Sequence, residues 1–205
     1  FEQFGFNAVG NFHPPRDADD EVGEIYLICF LDDHLFIFEI KSGYMRKTQR
    51  DAWQHRTSTL RKATRQLKRK STLVTERLTT DPTLSALIGD RDASHIQTHC
   101  WIIDTSIEHD HEYFEGFLKV SLQEIIITLR NERHLLRDFH QAIDIKKAKH
   151  GLSSSIKDDF ANICGDAMSA VFEQADDDNL YPNGFNAGQF ASIIETAAIW
   201  NVLDA

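Results

Sequence analysis

Two runs of strand-forming residues, 24–31 and 35–41, are separated only by Asp32-Asp33-His34, and so short a polar break makes them the arms of a β-hairpin. With Asp33-His34 as the two-residue loop, Tyr26 falls opposite Lys41 and Ile28 opposite Glu39. Side chains alternate along a strand, so Glu39 and Lys41 project together with Glu24 and Tyr26, while Phe38 and Ile40 turn into apolar packing. A strand otherwise composed of Leu35, Phe36, Ile37, Phe38 and Ile40 has no packing reason to carry an acid and a lysine on one face. A carboxylate can hold a divalent metal, and a neighbouring amine can orient or deprotonate water, which is the equipment of metal-assisted phosphodiester hydrolysis. The competing reading is an exposed edge strand that carries Glu and Lys for solubility.

Four segments extend the pattern: GFNAVGNF (5–12), GEIY (23–26), FIFEIKSG (36–43) and a helical KATRQL (62–67). In this order they resemble the PD-(D/E)xK nuclease superfamily, closest to its nuclease-related and Holliday-junction-resolvase-like branches, over residues 3–130. The resemblance implies an α/β chain with a restriction-endonuclease-like mixed β-sheet flanked by helices, and the residues beyond it read by their own pattern as an α-helical C-terminal region. The resemblance further implies a hydrolytic endonuclease acting on nucleic acid, DNA in the first place, with Mg²⁺ or Mn²⁺ as cofactor. Glu39 would bind the metal, Lys41 would position the attacking water, and Gln66 would contact metal-bound water or phosphate, with Gln54 as its alternative.

One position departs from the family pattern. Where the metal-binding aspartate belongs, this chain has Tyr26, and a phenol is a poor ligand for a hard cation. Glu24, two residues earlier on the same face, is the candidate second metal ligand, and the acids Asp17, Asp19, Asp20 and Glu21 could fold back. Asp32 and Asp33 lie about 20 Å along the hairpin from Glu39, so they read as turn residues. A catalytically degenerate nuclease fold that binds nucleic acid or protein is therefore the alternative function. A third is a structural or regulatory domain whose basic helix docks on an acidic partner.

Charge is strongly segregated. Residues 41–70 hold eleven of the 22 Lys and Arg with one acid, Asp51, so this stretch is +10 in a chain of net −10. Beside Glu39 and Lys41 it makes a local phosphate-binding surface, with Arg46, Lys47, Arg50, Arg61, Arg65, Lys68 and Arg69 as backbone contacts, against the plainer reading of a solvated helix face. Trp53, Leu60 and Leu67, spaced by seven with Ala63 between them, predict the buried stripe of that helix.

A chain of 205 residues, 41% hydrophobic, can bury a core, and no apolar run reaches bilayer-spanning length. Cys29, Cys100 and Cys164 are scattered, with no paired motif, which predicts a reducing intracellular compartment, cytoplasmic in the first place. There is no signal-peptide pattern, and a start on Phe1 with only Phe1–Phe4 left of an opening helix suggests a fragment of a longer protein.

Further along, residues 95–104 predict a buried strand, and 117–120 a short one followed by a helix with Ser121 and Glu124 as capping box. His109 and His111 invite a metal reading, but no third ligand is placed by spacing, and a solvated loop is expected. The nuclease-like domain is expected over 1–131 and a helical region over 132–205, with helices at 134–150, 156–174 and 187–203. Asp176-Asp177-Asp178 lacks the glycine and glutamate of a calcium loop and reads as polar linker.

Overall fold

Asp32 and Asp33 both take the left-handed conformation, φ 50° and 63°, a pairing that the twist of a two-residue hairpin favours and that aspartate tolerates. They join β2 (Ile25–Leu31) to β3 (His34–Lys41). The loop therefore sits one residue earlier than the sequence reading placed it: Leu31 pairs with His34 and Ile28 with Ile37. The register slides by two positions, which preserves the faces, and its continuation sets Tyr26 opposite Glu39 instead of Lys41.

The computed structural model describes residues 1–14, 22–43, 46, 48–136 and 179–203. β1 (Asn7–Phe12) flanks β2, and β4 (Gln97–Asp104), β5 (Tyr113–Phe114) and β6 (Phe117–Ser121) complete a six-stranded sheet in the order β1-β2-β3-β4-β6-β5. β1, β2 and β3 are antiparallel, β3–β4 and β4–β6 are parallel, and β5 returns antiparallel on β6. This is a mixed α/β fold, and β3 lies at its centre.

Two apolar layers follow from strand alternation. On one face Ile28, Leu35, Ile37 and Ile102 pack beneath α2 (Arg61–Arg77) and α3 (Pro82–Ile88). Asp81 caps α3 by accepting the amides of Thr83 and Leu84, and Pro82 occupies its first turn. On the other face Phe36, Phe38, Trp101 and Val120 meet α4 (Leu122–Arg130) and α5 (Ala187–Glu195). Phe190 of α5 lies 5.6 Å from the Phe36 ring and 5.7 Å from Trp101, so the described part of the C-terminal region closes this second layer. Ser121 caps α4 by accepting the Glu124 amide, and Asn131, at φ 56°, ends it. The helix expected over 187–203 breaks at Ala197, also at φ 56°, and residues 198–203 form a 3-10 turn.

The basic helix is not continuous α-helix. α1 (Gln49–Gln54), capped by Thr48, passes through a π-helical turn at His55–Leu60 before α2 begins. That turn holds an extra residue, so the seven-residue spacing no longer keeps one phase across it. Leu60, Ala63 and Leu67 are buried as expected, whereas Trp53, expected beside them, is 67% exposed. Ile40, expected in apolar packing, is likewise solvent-facing at the end of β3.

Cys29 and Cys100 are free thiols, and burial pushes them up to about 12 and about 11. Among the described residues no helix is long and apolar enough to cross a membrane. The expected helix at 156–174, most of 134–150, the 176–178 linker and Cys164 fall outside the described residues.

Candidate functional site

Glu39 is fully buried near the end of β3, a position that costs a carboxylate several kcal/mol unless opposite charge accompanies it. Two ammonium groups do. Lys41 Nζ donates to Oε1 at 2.6 Å and also to Gln66 Oε1 at 2.9 Å, so α2 is tied to the strand through the glutamine. Lys70 Nζ donates to the other carboxylate oxygen, Oε2, at 2.6 Å. Lys70 is itself buried, because it falls in phase with Ala63, Leu67 and Val74 on the inward stripe of α2. Its ammonium stands 5.2 Å over the Tyr26 ring. Tyr26 thus offers Lys70 a π-face, a favourable contact for a desolvated cation.

This donor set does not fit a divalent cation. Both oxygens of Glu39 are engaged by lysine, and Tyr26 presents its ring to an ammonium. Glu24 lies just before β2 with its carboxylate 3.8 Å from His13 Nε2, and no contact links it to Glu39. Among the described residues no group of three or more His, Cys, Asp or Glu is arranged to hold a metal. Asp17, Asp19, Asp20 and Glu21 lie outside the described residues.

A second charged cluster adjoins the first. Asp104, paired with Lys41 across β3–β4 and fully buried, has Oδ2 at 2.7 Å from His55 Nε2 and 3.4 Å from Arg46 Nη2. Burial alone would raise its carboxyl, but the His55 hydrogen bond and the charges of His55, Lys119 and Arg46 hold it below the usual value. Arg46 also pairs with Glu108 at 2.6 Å. Lys41, Gly43, Arg46, Gln54, His55 and Thr59 line an open cleft of about 370 Å³ between the strand end and the π-turn.

Behind Asp104, Lys119 is fully buried on β6 and donates to Asp110 and to the Ser106 carbonyl. Burial raises the Asp110 carboxyl despite that lysine. The 108–112 segment, expected as a solvated loop, is instead half-buried and stitched inward. His109 and His111 serve different carboxylates, Glu112 at 2.8 Å and buried Glu124 at 2.8 Å, since both adopt positive φ and the segment is not extended. Trp200 Nε1 donates to the same Glu124 at 3.0 Å.

Comparison with family models, curated proteins and solved structures finds no match for this chain.

The expected phosphate contacts separate into classes. Arg50, Arg61, Arg65, Lys68 and Arg69 are exposed, as is Lys62. Lys62 and Arg69 flank Gln66 at helical spacing, so cations border the Glu39–Lys41 site. Arg46 is engaged with protein carboxylates, its side chain 8% exposed, and Lys47 falls outside the described residues. Lys70, His55, Asp104 and Lys119 were missed. Lys70 carried a signal, a charged residue in phase with Ala63, Leu67 and Val74, whereas His55, Asp104 and Lys119 carried none that periodicity supplies.

Proposed function

We propose that this chain is a catalytically degenerate nuclease-type domain of the restriction-endonuclease-like class, which grips the phosphate backbone of nucleic acid without cutting it. The observation that carries the reading is the Lys70–Glu39 ion pair over Tyr26. A nuclease of this type needs a hard cation on its strand carboxylate, and here a lysine of α2 stands there instead. With Lys41 and Lys70 against one Glu39, the site is net positive without any metal, and Lys41, 20% exposed, is the member that can reach a phosphate oxygen. Arg61, Lys62, Arg65 and Lys68 extend that charge along the outer surface of α2. The mixed sheet, with Glu39 and Lys41 together on a central strand, is compatible with the ancestry.

The hydrolytic alternative, a Mg²⁺- or Mn²⁺-dependent endonuclease, draws on the same Glu39, Lys41 and Gln66 but requires the lysine to leave. Fluorescence anisotropy with labelled duplex DNA, run in parallel in EDTA and in Mg²⁺, separates the two. Equal affinity under both conditions and no nicking of supercoiled plasmid in Mn²⁺ are expected. Mn²⁺-dependent nicking that disappears in Glu39→Gln would restore the enzyme.

A further inference from the structure

The residue that the π-turn rotates outward does not stand alone. Trp53, 67% exposed, and Tyr113, 63% exposed, line one groove of about 410 Å³ together with Arg56, Arg61 and Phe114. The groove lies between the 53–61 segment and the β5–β6 hairpin. Its two walls are joined by an ion pair, Arg56 Nη2 to Glu112 Oε2 at 2.8 Å. Thr57 Oγ1 donates to the Trp53 carbonyl at 2.8 Å, which anchors the backbone that carries the indole. Single exposed apolar residues are ordinary, but two large rings on facing walls of a groove with arginines between them leave apolar and π surface unused by the fold.

We propose that this groove is a stacking platform for unpaired bases, so that the nucleic acid held here is single-stranded. The inference rests on the nucleic-acid reading above and narrows its ligand. In a duplex the base faces are covered by one another, whereas in a single strand they are free to lie on indole and phenol rings, with guanidinium groups beside the backbone. Charge enters mainly from beside the groove: within it Arg56 is paired with Glu112, and Glu115 lines it along with Arg61, whereas the exposed Arg50, Lys62, Arg65 and Lys68 form a positive surface next to it for the backbone of such a strand. An acidic protein segment would answer to the charge but would have no planar faces for the rings.

Trp53 is also its own reporter. Of the three tryptophans, Trp101 is 2% exposed and Trp200 is half-buried against Glu124, so the part of the quenching that Trp53→Phe removes reads Trp53. The experiment titrates the chain with a short oligo(dT), the matching oligo(U) and a blunt duplex, following tryptophan fluorescence and anisotropy. Quenching by the single strands is expected, with oligo(dT) against oligo(U) reporting which sugar is preferred. Trp53→Ala and Tyr113→Ala should each weaken single-strand affinity about tenfold and leave duplex affinity and thermal stability unchanged, and Trp53→Phe should retain most of the affinity. Single-strand binding that ignores both alanine variants, or that falls in step with duplex binding, overturns the platform while leaving phosphate binding in place. Loss of binding to every nucleic acid overturns both readings.

Discussion

Lys70 Nζ and Lys41 Nζ sit at the same distance, 2.6 Å, from the two oxygens of Glu39, one reaching from the helix and the other from the strand. The arrangement is asymmetric in exposure. Lys70 is 3% exposed and Lys41 20%, so one ammonium is structural and the other faces outward.

Removing the inner partner should therefore be costly. Lys70→Met leaves Glu39 buried with only Lys41, and breaking a buried pair from one side costs about 3 kcal/mol or more. Urea denaturation checks this. A loss under about 1 kcal/mol would mean that water reaches Glu39 and that the pair is no more than a surface contact.

Opening the site to metal takes two changes. Tyr26→Asp with Lys70→Ala sets a second carboxylate opposite Glu39 and removes the competing ammonium, so Mn²⁺ should raise the melting temperature of the double variant and not of the parent. If the unmodified chain is stabilised by Mn²⁺ and Glu39→Gln removes the effect, the lysine does not exclude the cation.

Duplex binding should report the outer cations. Reversing Arg61, Arg65 and Lys68 to Glu should lower affinity and flatten the log-log salt dependence by about 0.9 for each lost phosphate contact. An unchanged slope would assign the exposed side of α2 to solvent.

His111 gives a pH signature. Its hydrogen bond to buried Glu124 raises its pKa above the ordinary 6.5, so the folded state binds the proton more tightly than the unfolded chain. The resulting stabilisation is complete below pH 6.5 and is lost as pH rises through the raised native value. His111→Gln should erase that part of the decline. Melting temperature against pH for both proteins decides it, and parallel curves would refute the assignment.

Phe190 tests how firmly α5 belongs to the sheet. It is fully buried among Phe36, Trp101 and Phe6, and Phe190→Ala should cost about 3–5 kcal/mol. A cooperative transition at nearly unchanged denaturant midpoint would show the helix to be dispensable.

Alternation made the hairpin and the shared face of Glu39 and Lys41 legible in advance, whereas Gln66 was named only through the resemblance, for metal-bound water or phosphate, and in the structure accepts from Lys41. The loop position was not, because both aspartates accept positive φ and the choice between Asp32-Asp33 and Asp33-His34 depends on sheet twist. Trp53 was misplaced for a related reason: heptad spacing presumes a uniform turn, and nothing in His55–Leu60 announces a π-helix. Lys70 was visible as a charge in apolar phase, but it, Lys119 and Asp104 find their partners on other segments of the chain, which one-dimensional periodicity cannot pair.

The π-turn has a consequence for comparing this chain with others. Six residues, His55–Leu60, separate a part of the helix numbered for solvent from a part numbered for the core. A homologue lacking one residue there would align well on both sides of a single gap, yet would turn its counterpart of Trp53 toward the sheet and lose one wall of the groove. A one-residue gap at 55–60 would then mark a change of ligand, even where every charged residue is retained.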